Sequence, residues 1–282
     1  MPTDADDVAI GSTVALRSSA DRRRRSLSVA FAAGAVIGLL GGMIGLGGAE
    51  FRLPLLIGVF GFVALQAVIL NKAMSLIVVA TALPARVASV PLDLLTPHWS
   101  VVLNLLGGSV AGAWVGATWA TKMRSATLYK VLSALLVLIA FVLLLSHLGQ
   151  VQHADLAAPA RVVAGLLAGF VIGVVAALMG VAGGELLIPT IVLLYGLDIK
   201  VAGSLSLAVS LPTMVVAFAR YSRDRSFDVL RENGSFVLVM AAGSVTGTIA
   251  GGLLLGVVPE LILIPLLVLL LILSAIKVWR HR

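Results

Sequence analysis

Long apolar runs dominate this sequence and restrict what it can fold into. Crossing a bilayer takes about 20 mostly apolar residues, and eight runs meet this requirement: 27–47, 67–90, 99–120, 126–147, 161–182, 200–220, 234–256 and 260–279. Two shorter runs, 49–63 and 185–197, lie between them. Apolar residues make up 60% of the chain and charged residues 12%, against about 45–50% and about 25% in soluble domains. The composition excludes a soluble enzyme, a nucleic-acid-binding domain and a disordered protein.

The long runs are expected to be helices. In lipid a helix satisfies its own backbone hydrogen bonds, whereas a membrane barrel would show alternating polarity in segments of about 10 residues. We therefore predict an all-α polytopic membrane protein. The chain has no cysteine, and its 4 histidines lack metal-ligand spacing, so we predict no metal site and no cofactor. The glycine-rich segments also lack the lysine of a nucleotide-binding loop.

The basic residues indicate how the chain is oriented. If the N-terminus is inside and every segment crosses or returns in order, sixteen of the 20 basic residues lie inside. Arg86, Arg161 and Lys200 lie outside, whereas Lys72 is counted inside. Lys72 and Arg86 flank the same long helix, and we interpret both as interfacial anchors. This positive-inside bias predicts a multi-pass protein of the cell inner membrane with both termini in the cytoplasm. The apolar stretch after the polar tail is too long for a signal peptide, which favours an uncleaved first helix.

The chain contains an internal duplication at a constant offset of 135 residues. Residues 34–116 and 169–251 share 25 identities over 83 ungapped positions. The duplication divides the chain into a polar cytoplasmic tail (1–26), a first transmembrane repeat (27–147), a connecting loop (148–160) and a second transmembrane repeat (161–282). Each half has five hydrophobic segments, or three true crossings if the short segment and its predecessor form a re-entrant hairpin of half-helices. In either case the second half must enter the membrane from the opposite face. Inverted repeats with interrupted segments are typical of secondary transporters. The alternative is a duplication that serves only stability.

The two halves are most alike in a glycine-rich segment. It reads Gly45-Leu-Gly-Gly-Ala-Glu-Phe-Arg-Leu-Pro54 in the first half and Gly180-Val-Ala-Gly-Gly-Glu-Leu-Leu-Ile-Pro189 in the second. Clustered glycines break a helix and let bare backbone approach a ligand, and free N–H groups at the start of the next half-helix attract an anion. The predicted substrate-binding glycines are Gly45, Gly47, Gly48, Gly180, Gly183 and Gly184. Pro54 and Pro189 are the predicted hinges. The alternative is that the glycines only allow close helix packing.

Glu50 and Glu185 occupy matching positions of this segment. A carboxylate inside a membrane-embedded segment is costly and usually functional. A carboxyl group held away from water binds a proton more readily, which suits proton coupling. Two alternatives stay open: each glutamate caps the N–H groups of a broken helix, or it is exposed at the membrane surface.

Other polar residues lie near these segments. Arg52 has no counterpart, because its repeat partner is Leu187; we interpret it as a charge partner of Glu50, with anion contact or snorkelling as alternatives. Two pairs spaced i, i+4 each share a helical face, and we predict that they donate hydrogen bonds to a substrate anion or, alternatively, between helices. These pairs are Asn71 with Ser75, and Ser206 with Ser210.

A second matched block carries glycines at every fourth position. Gly108, Gly112 and Gly116 in the first half correspond to Gly243, Gly247 and Gly251 in the second. Small residues at this spacing let two membrane helices approach closely. We interpret both sets as helix-packing faces.

The duplicated segments, Gly45–Pro54 and Gly180–Pro189, resemble those of the sulfite exporter TauE/SafE family. The resemblance extends over residues 27–279, and it implies a membrane permease for sulfite, sulfonates or related small oxyanions. The sequence departs from the family pattern at two positions of the first copy. Ala49 replaces a glycine that the second copy keeps, and Arg52 stands where an apolar residue is usual. These departures leave the exact substrate open.

The resulting expectation is a secondary transporter that exports small sulfur oxyanions by alternating access, with proton coupling through Glu50 or Glu185. It is not an enzyme, because no Ser/His or paired-Asp constellation falls within the spans. Its partners are the anion, the lipid bilayer and protons, without nucleic acid, and a homo-oligomer is compatible with the sequence. The alternatives are a passive anion channel and a structural membrane subunit that transports nothing.

Overall fold

The structure, a computed structural model, describes residues 27–43, 48–89, 96–148, 156–254 and 260–280. Within these ranges the chain is helical and contains no strand, which confirms the all-α prediction. The helices in chain order are α1 (Leu27–Met43), α2 (Ala49–Gly58), α3 (Ala64–Ser89), α4 (Trp99–Lys122), α5 (Ser125–Leu148), α6 (Ala158–Met179), α7 (Gly184–Tyr195), α8 (Ile199–Tyr221), α9 (Asp228–Glu232), α10 (Gly234–Leu253) and α11 (Glu260–Arg280). Single 3₁₀ turns precede α4 and α9.

The helices have the lengths and surfaces of membrane spans. Six of them are long and apolar enough to cross a bilayer: α3, α4, α5, α6, α8 and α10. Helices α1 and α7 are shorter and also apolar. Large apolar side chains on these helices face outward, and Leu103 and Leu238 are each 64% exposed. Such a surface suits lipid rather than water, so the chain is a multi-pass membrane protein.

The predicted runs and the observed helices agree closely. The two short runs are the short helices α2 and α7, as expected, and each of them follows an interruption of the helical chain. Helix α6 begins at Ala158, three residues before the predicted run 161–182, with a proline in its first turn. Proline is tolerated there because the first N–H groups of a helix have no partner within it.

Two helix pairs bring the halves together through the predicted glycine faces. Helix α4 packs along α6, and α10 lies against α1. A Cβ on Gly112 would overlap the carbonyl oxygen of Phe170, and a Cβ on Gly247 would overlap that of Ala35. Gly247 and Ala35 correspond to Gly112 and Phe170 at the 135-residue offset. Each half therefore packs its glycine face on the first helix of the other half.

Candidate functional site

The four residues between α6 and α7, 180–183, form the second break. Gly180 (φ 71°) and Gly183 (φ 84°) have left-handed backbone conformations, which residues with a Cβ rarely adopt. The N–H of Gly180 donates to the carbonyl oxygens of Ala176 and Ala177 and ends α6. Helix α7 starts with no side-chain cap, so its first N–H groups form a partial positive pole.

In the first half, helix α2 begins directly after Gly48, and residues 44–47 lie outside the described part of the chain. Gly48 has a φ of 70°, and a Cβ on it would overlap the Ile37 carbonyl oxygen of α1. Helix α2 also begins without a side-chain cap. Gly45 and Gly47 lie outside the described residues. The predicted helix interruptions are thus present in both halves.

Helix α3 reaches the second break through Lys72. Its ammonium Nζ donates to the carbonyl oxygens of Ala176 at 2.8 Å and Val181 at 2.6 Å. The residue is completely buried, so the expectation that it anchors α3 at the membrane interface is wrong. The carbonyls at the end of a helix carry partial negative charge, and Lys72 is the cation that meets them.

Asn71 and Ser75 lie on either side of this lysine and also reach across. Asn71 Nδ2 donates to Ala49 O at 3.0 Å and to Met179 O at 3.1 Å, so it ties the start of α2 to the end of α6. Ser75 Oγ donates to Gly180 O at 3.2 Å. These are interhelical hydrogen bonds of the kind that the sequence left as an alternative. An additional role of these residues in anion binding stays a prediction.

The matching residues of α8 behave differently. Ser206 Oγ donates within its own helix to Gly203 O at 2.8 Å. Ser210 Oγ is buried and has no hydrogen-bond partner in the described part of the chain. From the other end of α8, Tyr221 OH donates to Ala177 O at 2.9 Å. No sequence pattern singles out Tyr221, which stands at the end of an apolar run.

Four ionisable side chains form a buried charged cluster between the breaks. Glu50 is 1% exposed, Arg52 and Lys72 0%, and Glu185 8%. Their electrostatic neighbours run in the order Arg52, Glu50, Glu185, Lys72. This burial excludes the alternative that the two glutamates lie exposed at the membrane surface.

The carboxyl groups of Glu50 and Glu185 lie next to each other in the middle of this cluster. Each also lies near its own backbone N–H at the start of a helix, so the capping alternative stays open. Glu50 Oε2 and both Glu185 oxygens lack a hydrogen bond of good geometry within the described ranges. Two carboxylates can only accept hydrogen bonds, so a bond between them requires a proton on one of the pair.

Arg52 is an electrostatic neighbour of Glu50, and its role as a charge partner stays a prediction. Its Nε and both terminal nitrogens are buried without a hydrogen-bond partner among the described residues. The reason is geometric, because residues two apart on a helix do not face each other. The matching position of the second half holds Leu187, which is also buried.

The remaining predicted positions flank this cluster. Pro54 and Pro189 lie within α2 and α7, at the sixth residue of each helix. Gly184 is partly exposed, and a Cβ on it would meet no atom within 4 Å. There is therefore open space beside Glu185 at the start of α7.

An open cavity of about 380 Å³ lies elsewhere, where the N-terminal end of α1 meets the start of α10. Phe60, Phe62, Asn233 and Phe236 line it, and none of the predicted site residues does. Within the described ranges no three His, Asp or Glu side chains are grouped to hold a metal ion.

Comparison with known proteins identifies a family. Residues 29–278 match the family described as sulfite exporter TauE/SafE, whose members are membrane transporters of sulfur anions and not enzymes. No curated protein and no solved structure matches the chain. Since the family match covers most of the sequence, the chain belongs to the sulfite exporter TauE/SafE family.

Proposed function

We propose that this protein is a secondary transporter that exports sulfite, an organosulfonate or a related sulfur oxyanion across the cell inner membrane, with both termini in the cytoplasm. The observation that carries the proposal is the pairing of Glu50 with Glu185. These carboxyl groups come from matching positions of the two halves and meet in a buried cluster. Ionisable groups inside a membrane protein are typical of substrate and proton pathways.

In this proposal the anion binds beside the charged cluster, at the starts of α2 and α7. Both helices begin at left-handed glycines without side-chain caps, and such N-termini favour anions. The open space at Gly184 leaves room for a ligand beside Glu185, and the buried hydroxyl of Ser210 is an unused hydrogen-bonding group. The donors of Asn71 and Ser75 are already engaged, so we assign these two residues the task of holding the breaks in place.

The glutamate pair takes up and releases the coupling proton. A proton on one carboxyl group converts two like charges into a hydrogen-bonded pair. Loading and unloading this proton alternately from the two sides of the membrane links it to anion movement. Pro54 and Pro189 are the hinges in this scheme.

Alternating access follows from rocking of one half against the other. The exchanged glycine contacts, α4 with α6 and α10 with α1, support a two-fold relation between the halves. Transporters built from inverted repeats move in this way around a site at the repeat interface. The opposite orientation of the two halves in the membrane is part of the proposal.

The test is uptake of labelled sulfite and a small sulfonate into proteoliposomes, with and without an imposed pH gradient. We expect saturable flux that responds to the gradient. Glu50→Gln and Glu185→Gln should each abolish that response. Glu232→Gln is the matched control, because it removes an exposed carboxylate outside the cluster.

The other outcomes separate the alternatives. Flux that ignores the gradient and does not saturate would indicate a passive anion channel. A protein that moves neither anion would favour a structural subunit. Saturable flux in which both glutamine variants still respond to the gradient would remove the glutamates from coupling.

A further inference from the structure

The guanidinium of Arg52 is the most unusual group in the described structure. It is completely buried, and none of its three nitrogens has a hydrogen-bond partner there. Buried polar groups in native proteins are nearly always hydrogen-bonded, and an exception calls for an explanation. The cost is greatest for a charged group, because it loses its hydration without replacement. Arg52 is therefore expected to bind something during the working cycle.

The fold itself does not require a cation at this position. The second half places Leu187 at the matching position, and that side chain is 1% exposed. Since the same scaffold accepts an apolar residue there, packing does not explain the arginine. The start of α2 adds partial positive charge rather than cancelling it. Glu50 is the neighbouring counter-charge, and it makes no hydrogen bond to the guanidinium.

We propose that Arg52 is the residue that binds the transported anion, through two parallel N–H···O bonds to oxygens of a sulfonate or sulfite. This inference rests on the proposed function and names the recognition group of its site. A guanidinium presents donors in a fixed planar fork, which suits oxyanions better than an ammonium does. The bound anion replaces Glu50 as the counter-charge of Arg52.

Charge balance then links anion binding to a proton. In this proposal all four buried groups are ionised before the anion arrives, so that the cluster then holds two positive and two negative charges. A singly charged anion adds one negative charge in a buried setting, where an unpaired charge is expensive. A proton taken up by the Glu50–Glu185 pair restores neutrality. Each singly charged anion therefore binds and leaves together with a proton, so the anion's own gradient drives its export.

The surroundings leave this pair as the proton acceptor. Glu50 lies near Arg52 of its own helix and near Glu185 of α7, and Glu185 in turn lies near Lys72 of α3. Helix α11 also packs along α2. Its lysine, Lys277, lies at Gly58, about two helical turns from Glu50.

The test measures binding of methanesulfonate, sulfite and formate to the full chain in lipid nanodiscs by calorimetry. Two buffers of different ionisation enthalpy report proton uptake. We expect Arg52→Gln to weaken binding about tenfold or more, as loss of charge-assisted hydrogen bonds predicts. Arg52→Lys keeps the charge without the fork and should fall between wild type and Arg52→Gln. Lys277→Gln, which removes an exposed cation near α2, should leave affinity unchanged.

The outcomes separate this inference from the proposed function. Wild-type binding that survives Arg52→Gln would overturn the role of Arg52 and leave transport of sulfur oxyanions standing. Binding without proton uptake would overturn the charge balance alone. If the wild type binds formate but neither sulfur anion, and Arg52→Gln removes formate binding, Arg52 stands and the substrate class falls. If it binds none of the three anions, both proposals fail.

A further variant distinguishes loss of anion binding from loss of folding. Arg52→Gln leaves Glu50 without its counter-charge, so the Glu50→Gln/Arg52→Gln double variant removes both. If that variant folds and binds as tightly as the wild type, the proposal is wrong. If only Arg52→Lys folds, undiminished affinity of that variant contradicts recognition by the guanidinium fork.

Discussion

Helices α3 and α8 hold matching places in the two halves, but they act on the breaks very differently. Helix α3 donates four hydrogen bonds to the end of α6 and the second break, from Asn71, Lys72 and Ser75. At the matching positions of α8, Ser206 bonds within its own helix, Leu207 has no donor, and Ser210 is unpartnered in the described structure.

The difference shows that a repeated scaffold need not repeat its chemistry. The glycine contacts of the two halves correspond residue by residue, because backbone packing tolerates little change. Both cations of the charged cluster, Arg52 and Lys72, come from the first half. The second half contributes Glu185 alone. The packing is therefore shared, whereas the charges are divided unequally.

The largest expected effect comes from Lys72→Met. This substitution leaves two helix-end carbonyls without a donor and Glu185 without its cation. Breaking a buried charge pair in this way costs about 3–5 kcal/mol. The check is the free energy of unfolding, measured by titrating SDS into the protein in detergent micelles.

Leu207→Met is the matched control, because Leu207 stands at the corresponding place on α8. A volume-conserving change of this kind is expected to cost less than about 1.5 kcal/mol. Similar losses for the two variants would contradict the asymmetry between α3 and α8.

The next effect tests the similarity of the halves. Gly112→Ala and Gly247→Ala each push a methyl group into a carbonyl oxygen of the facing helix. We expect each to lower the free energy of unfolding by about 1–3 kcal/mol, the usual range for overpacking, and by nearly the same amount. Gly252→Ala should change little, because a Cβ there meets no atom within 4 Å. Clearly unequal losses would show that the two contacts are not equivalent in stability.

Much of the fold could be predicted from the sequence, because the bilayer sets the length of an apolar helix. The predicted run 126–147 is helix α5, and 185–197 is α7, each within two residues at either end. The helix-packing faces of glycine could also be predicted, since their spacing repeats about every helical turn.

The site was less predictable. The apolar runs place Lys72 near the start of a span, a position that predicts an interfacial anchor. Its partner Ala176 is 104 residues away, and such a pairing depends on how helices pack. A lysine inside an apolar run was nevertheless a signal, because intramembrane charges are usually functional.

The third prediction compares the left-handed glycines at the ends of the breaks. Gly183→Ala should cost about 1–2 kcal/mol from its φ alone, since its nearest neighbours are side-chain atoms at 3.2 and 3.3 Å. Gly48→Ala should cost more, because its methyl group also meets the Ile37 carbonyl. Gly61→Ala (φ 73°, open space) isolates the conformational cost. The free energy of unfolding in SDS should fall most for Gly48→Ala, less for Gly183→Ala and least for Gly61→Ala. A smaller loss for Gly48→Ala than for Gly61→Ala would contradict this prediction.

The smallest effect compares the two serines that share a repeat position. Ser75→Ala removes the bond to Gly180 O and should lower the free energy of unfolding by about 1 kcal/mol. Ser210→Ala removes a buried hydroxyl that has no partner in the described structure, so it should be neutral or slightly stabilising. If Ser210 donates to the anion, as proposed, Ser210→Ala keeps its free energy of unfolding and loses affinity for the anion. Ser75→Ala is expected to lose mainly free energy of unfolding. Unfolding measured with and without sulfite therefore assigns the two hydroxyls to different tasks, and equal effects of the ligand on both variants would remove Ser210 from the binding site.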